Sequence, residues 1–288
     1  MAELRTPRSL IITLYGAYGR PADGSPFAVA ELIRLLHAVG VDAPSVRSCV
    51  SRLKRRGLLV AARAADGSAG YALSPDARQL LDDGDARIYG RPSHRLEDGW
   101  VLAVFSVPEA ERAKRHLLRS RLARLGFGTA APGVWIAPAG LYEETRHTLE
   151  RLELAPYVDL FRGDHLGFAA TRASVARWWD LDAVARLHRD FLDLHEPVLR
   201  EWEATERTEE GPRTEEGCPR PQEGPRPQEA YRDYLLALDS WRQLPYADPG
   251  LPEELLPKGW PGGRSAEVFG KLHDRLRDAG ERFVRVRD

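Results

Sequence analysis

Residues 42–57, DAPSVRSCVSRLKRRG, decide how this chain folds at its N-terminal end. Pro44 suits the first turn of a helix, where its missing N–H is no loss, and Asp42 or Ala43 can sit at the cap. Val46, Val50 and Leu53 recur at i, i+4 and i+7 and make one apolar stripe, with Cys49 beside it. Ser45, Arg47, Ser48, Ser51, Arg52 and Arg55 fall on the other faces. Short hydroxyls between guanidinium groups are the side chains that reach base edges and phosphates in a DNA groove. An amphipathic surface helix with no ligand carries the same residue types, so the stretch has to be read with its surroundings.

Upstream, Ser9 to Tyr18 is apolar at helical spacing (Leu10 with Leu14, and Ile11, Tyr15 and Tyr18 alongside), and the segment RPADGSPF ends it. Phe27 to Val39 predicts a second helix with Val29, Leu32, Ile33 and Leu36 inward. GVDAP is the turn into the third helix, Asp42 to Arg56. Downstream, LLVAARAADGSAGYAL places two short apolar runs around a loop of Asp, Gly and Ser, which predicts a β-hairpin. Three helices and a hairpin are the order of a winged helix-turn-helix. Its third helix enters the major groove, and its hairpin reaches the neighbouring groove or backbone, here through Arg63. The alternative is a winged helix that serves protein contacts. Ser74-Pro75-Asp76 opens a linker helix, so a first domain spans residues 1–90.

The whole chain has 288 residues and a net charge of −1, so it is not a general polyanion binder. Residues 1–60, however, hold nine basic residues (Arg5, Arg8, Arg20, Arg34, Arg47, Arg52, Lys54, Arg55, Arg56) against four acids (Glu3, Asp23, Glu31, Asp42), a balance of +5. A basic module on a neutral body is the charge footprint of a sequence-selective binder. Two cysteines, Cys49 and Cys218, cannot build a disulfide framework, which points to a reducing, cytoplasmic setting. No run approaches the ~18 apolar residues of a membrane span, and the N-terminus lacks the apolar core and cleavage site of a secretory signal.

Residues 91–170 predict a strand (Trp100 to Val107), a helix (Glu109 to Leu125), two strands in GFGTAAPGVWIAP, a helix (Leu141 to Leu152) and a strand in YVDLFRGDHLGF. That β-α-β-β-α-β order is ferredoxin-like. Arg112, Lys114, Arg115, Arg119, Arg121 and Arg124 give the first of these helices a basic outer face, either a solvated surface or a second DNA backbone contact. Residues 171–288 read as mainly helical. One long helical pattern runs from Ala173 through Trp178 and Trp179 to Glu203, another covers Tyr231 to Gln243, and the last Ala266 to Val284. Between the first two, residues 204–229 hold four degenerate Pro/Gly/Glu repeats with almost no apolar side chains, which predicts a disordered insertion. The loop LPYADPGLPEELLPKGWPGGRS alternates prolines with apolar anchors and should pack over other elements. The fold class is therefore α+β.

Catalytic signatures are missing from the sequence: no G-x-S-x-G, no P-loop, no strand-linked G-x-G-x-x-G and no H-E-x-x-H occurs. Asp159, Asp164 and His165 cluster only in sequence. Neither a metal, a cofactor nor a catalytic residue is expected, and the chain reads as a regulator rather than an enzyme.

Five stretches together resemble one family: SVRSCVSRLKRRGLL with YALSPDARQLL, then WVLAVFSVPEAERAKRHLLRSRLARLGFGTAAPGVWIAP, WWDL, and YRDYLLALDSWRQLPYADPGLPEELLPKGWPG. They are similar to the phenylacetic-acid degradation repressors, the PaaX type of bacterial transcription regulators, over nearly the whole chain. The Pro-studded run is the most specific of them, whereas the Pro/Glu repeats depart from the pattern. The resemblance implies a homodimeric repressor with a winged helix and a helical C-terminal domain. Between them lies a domain like the small subunit of the CRISPR spacer-acquisition complex. It implies binding to palindromic double-stranded operator DNA and release by an aryl-acyl-CoA thioester such as phenylacetyl-CoA. On that reading Arg47, Ser48, Ser51 and Arg52 contact base edges, and Ser45, Lys54, Arg55 and Arg63 anchor phosphates. Two copies read half-sites one or two helical turns apart. For the thioester, the C-terminal part offers Arg177, Arg242, Lys258 and Arg264 toward the phosphates and Trp179, Trp241 and Trp260 toward the acyl group. Two rival classes stay open. One is a scaffold or CoA sensor acting through protein partners. The other is a metal-dependent nuclease, which would want an acid where the first central strand ends in FSVPE with Ser106.

Overall fold

The computed structural model describes residues 5–20, 26–64, 66–90, 94–209 and 226–286. In chain order the elements are α1 (Pro7–Tyr18), β1 (Phe27–Ala28), α2 (Val29–His37), α3 (Ala43–Arg55), β2 (Leu59–Arg63), β3 (Ala69–Leu73) and α4 (Pro75–Tyr89). There follow β4 (Trp100–Phe105), α5 (Arg112–Arg124), β5 (Gly128–Ala131), β6 (Val134–Pro138), α6 (Tyr142–Arg151) and β7 (Val158–Gly163). The last are α7 (Thr171–Trp178), α8 (Leu181–Glu209), α9 (Pro227–Trp241), α10 (Leu244–Ala247) and α11 (Gly262–Arg285). The chain is mixed α/β and divides into two compact units. One is Met1–Ala86 with Asp190–Arg242 and Arg264–Asp288, the other Arg87–Arg189 with Gln243–Gly263. The C-terminal third thus supplies helices to both.

In the first unit α1, α2 and α3 enclose a core of Leu10, Ile11, Leu14, Leu32, Leu36, Val46, Val50 and Leu53. Tyr231 and Leu235 of α9 and Val284 of α11 belong to the same core. Phe27 and Ala28 are not the start of the second helix. They form a short strand on Tyr71 and Gly70, in a sheet of order β1-β3-β2. Backbone pairing to β3 and burial of the Phe27 ring against Tyr15 outweigh the helical period there. Asp239 of α9 is fully buried and accepts hydrogen bonds from Ser9 Oγ (2.5 Å) and Thr13 Oγ1 (2.7 Å) of α1. It also accepts from the Arg5 amide (3.0 Å) and Arg242 Nε (3.3 Å). A carboxylate so deep survives because each of these donors faces it. Arg34 of α2 donates to the carbonyls of Phe283 and Val286 at the end of α11, a cation on a helix C-terminus.

The second unit is built on an antiparallel sheet of order β5-β6-β4-β7. Its elements run β-α-β-β-α-β along the chain. Val101, Ala103, Trp135 and Ala137 on one face bury Leu118 and Leu122 of α5 and Leu149 of α6. The opposite face packs Trp100 and Ile136 against Val175, Trp179, Leu251, Leu255 and Leu256, so the Pro-rich loop is seated on this unit.

Two further expectations need correcting. The helical pattern through Trp178 and Trp179 is broken: Trp179 is extended, with φ −123° and ψ 144°. Asp180 then accepts the Ala183 N–H at 2.9 Å and starts α8 afresh. The extended backbone buries the Trp179 ring and lets its indole N–H reach the Gly126 carbonyl at 2.9 Å. Both ends of the stretch expected to be a disordered insertion, 204–229, are helical instead. α8 runs on through Ala204 to Glu209 and α9 starts at Pro227, a residue suited to a first helical turn. Residues 210–225, with most of the repeats, lie outside the described residues.

Candidate nucleic-acid interface

Every local signal in 42–57 acts on α3. Asp42 caps it, its carboxylate accepting the Ser45 amide and hydroxyl, both at 2.8 Å. Those bonds hold the Asp42 carboxyl below the usual carboxylate range, so it remains an ionised cap. Val46, Cys49, Val50 and Leu53 are buried. At the other end Gly57 turns left-handed, with φ +71°. The Gly57 amide bonds the Lys54 carbonyl at 2.9 Å and the Leu58 amide the Leu53 carbonyl at 3.0 Å. This pair of bonds is a Schellman stop, and it turns the chain straight into β2.

With one face buried, α3 leaves Arg47, Ser48, Ser51, Arg52, Lys54 and Arg55 in solvent and Ser45 half-buried. Arg52 Nη1 donates to Ser48 Oγ at 3.0 Å, which joins two of the expected base-reading groups. Arg63 is exposed in the hairpin, where its Nη1 donates to the Gly67 carbonyl at 2.8 Å. Among the described residues none of Arg47, Arg52, Lys54, Arg55 and Arg63 has a carboxylate partner. Arg20 in the same unit, by contrast, is paired with both Asp82 and Asp85. Unpaired guanidiniums are the ones free to neutralise phosphates.

Sequence reasoning counted Arg8 only as charge. Burial pushes the Cys49 thiol up, and Arg52 and Arg8 oppose that shift, so Arg8 of α1 lies within electrostatic reach of Cys49 on the buried side of α3. Arg8 stands in the first turn of α1, and nothing local in the sequence ties α1 to α3.

The seven residues considered for a thioester fall into two groups. Trp241, Arg242 and Arg264 are in the first unit. Trp241 is buried and stacked on Phe269, Arg242 is engaged by Asp239 and Ser9, and Arg264 is paired with Glu196 and Glu267. Arg177, Trp179, Lys258 and Trp260 are in the second unit. Arg177 donates to Ser174 Oγ, Trp179 is buried and Lys258 is exposed. The Trp260 indole N–H is buried with no acceptor among the described residues, and its ring stands edge-on to His188, which is paired with Asp248 at 3.0 Å. No cluster of three or more metal-ligating side chains occurs among the described residues, and no described helix is long and apolar enough to cross a membrane.

Three family models match successive parts of the chain: residues 6–77 a PaaX-like protein, 93–175 the PaaX protein central Cas2-like domain, and 179–286 a PaaX-like protein C-terminal domain. The transcriptional repressor PaaX of Escherichia coli (strain K12) is 26% identical over 281 residues, covering 96% of this chain and 82% of that protein. The fold is similar to that of the uncharacterized protein Rv0674 from Mycobacterium tuberculosis, with a TM-score of 0.61 at 20% identity over 99% of this chain and 100% of that one. With successive models accounting for its N-terminal, central and C-terminal parts, the chain belongs to the PaaX family.

Proposed function

We propose that this protein is a sequence-specific, DNA-binding transcriptional repressor. The observation that carries the reading is the outer face of α3, whose cations have no carboxylate partner among the described residues and alternate with exposed serines. The repressor activity of the Escherichia coli relative supports it. In this reading α1 to α3 with the β2–β3 hairpin act as a winged helix-turn-helix, and the β4–β7 region as a ferredoxin-like domain. The working boundaries are 1–90, 91–170 and 171–288. Arg47, Ser48, Ser51 and Arg52 read bases. Ser45, Lys54, Arg55 and Arg63 hold phosphates.

A homodimer on a palindromic operator is supported by Val104 and Phe161, 37% and 57% exposed, which stand uncovered on the sheet face whose Trp100 and Ile136 are packed. An aryl-acyl-CoA effector is supported by Trp260, whose buried N–H suits a thioester carbonyl, with Lys258 two residues earlier for a phosphate. Effector and operator would then oppose each other reciprocally. A repressor of this kind works in the cytoplasm, where the DNA is.

The test is fluorescence anisotropy on DNA from upstream of the protein's own gene, against scrambled duplex, at two salt concentrations and with a panel of acyl-CoAs. Selective binding reversed by one thioester is expected. Selective binding indifferent to all of them would discard the effector, and loss of selectivity would discard the repressor.

A further inference from the structure

α5 contains no acidic residue. Two of its cations are engaged: Lys114 bonds Glu111 and Tyr157, and Arg115 bonds Glu109 and the Val107 carbonyl. Arg112, Arg119, Arg121 and Arg124 have no carboxylate partner among the described residues. Cations in the last helical turn suit the helix dipole, which accounts for Arg121 and Arg124. It does not account for Arg112, which stands at the positive end, nor for Arg119 in the middle.

Arg121 adds a second observation. Its Nε is out of water with no acceptor among the described residues. Burial lowers its pKa, and Arg124 and Arg151 lower it further. A buried donor beside gathered like charges is unfavourable unless an anion completes it.

Arg112 and Arg119 lie about 20° apart around the helix, Arg124 stands about 120° from Arg112 on the other flank of the exposed arc with Arg121 about 60° beyond it, and Arg112 to Arg124 spans about 18 Å of the axis. One phosphate group cannot reach cations spread over both flanks and this length of the helix, whereas duplex DNA offers a charge every ~1.7 Å. We propose that the outer face of α5, Arg112, Arg119 and Arg124 with Arg121 at its buried edge, is a second, sequence-independent contact for the phosphate backbone of duplex DNA. The proposal rests on the DNA-binding reading above for the source of that duplex.

The experiment compares the full-length protein with the Arg112→Gln/Arg119→Gln/Arg124→Gln variant on labelled operator and scrambled duplexes, between about 50 and 200 mM salt. These side chains are exposed, and far-UV circular dichroism checks the fold. The slope of log affinity against log salt should become shallower by about 0.9 per lost contact, close to 3 in total, on both duplexes. The ratio of operator to scrambled affinity should not change. Arg146→Gln, which removes a cation already paired with Glu143 and Glu150, should leave the slope alone. If the triple variant misfolds, Arg119→Gln alone should still shift the slope by about 0.9.

Wild-type slopes and affinities in the variant would overturn the proposal. So would unchanged slopes with a lost response to coenzyme A, which would assign the face to a nucleotide ligand. A wild-type protein that binds operator and scrambled duplex alike would overturn the sequence-specific reading and leave this test intact. One that binds neither duplex would overturn both.

Discussion

Asp239→Ala should destabilise the first unit strongly. Asp239 is fully buried and receives Ser9 Oγ, Thr13 Oγ1, the Arg5 amide and Arg242 Nε. Its removal leaves two hydroxyls and an amide short of an acceptor and strands the Arg242 cation. Breaking a buried pair by deleting one partner costs about 3–5 kcal/mol. Arg242 keeps 25% of its side chain in water, so the loss belongs near the lower end of that range, about 3 kcal/mol. With a urea slope of about 2 kcal/mol per M, the unfolding midpoint of this unit should fall by about 1.5 M. Far-UV circular dichroism in urea reads that shift, and hydrogen exchange at the α1 amides localises it. Adding Arg242→Ala should return part of the loss, because the cation is then no longer stranded. A midpoint shift below about 0.5 M, or a double variant in which the two losses simply add, would refute the reasoning.

Arg52→Ala should cost about 1–3 kcal/mol of operator affinity and relax selectivity at one base pair, read by anisotropy on single-base operator variants. Equal discrimination before and after would remove Arg52 from base reading. Gly57→Ala puts a Cβ into open space but at φ +71°, so the strain alone should lower stability by about 1–2 kcal/mol, checked by thermal unfolding. Burial lowers the pKa of His195, which faces Ser240, to about 4, and Arg5 acts in the same direction. The unfolded imidazole titrates at its ordinary value of 6.5 and takes up a proton first. The stability from the neutral His195 is therefore complete above pH 6.5 and is lost as the pH falls toward 4, at about 1.4 kcal/mol per pH unit. Urea midpoints at pH 7 and 5 should fall further in the wild type than in His195→Gln.

How much was legible in the sequence follows the range of the interactions. Helix α3 was readable because its determinants are local. Asp42 caps a turn three residues away, Val46, Val50 and Leu53 share one face, and Gly57 stops the helix two residues after its end. The strand and helix order of residues 100–163 was readable for the same reason, as period and turn residues act within a few positions.

What the tertiary structure decided is partnership. Arg242 looked like a phosphate ligand by type, but Asp239 and Ser9 hold it, the latter 233 residues away in sequence. Trp179 and Trp241 looked like one aromatic group and are buried in different units. Phe27 followed a helical period and became a strand because Tyr71, forty-four positions on, offered its backbone. Periodicity states that a side chain will be buried, but burial energy is non-directional and does not name the neighbour. For a buried charge the neighbour is decisive, since its cost in a low-dielectric interior is met only by particular donors brought together by the fold.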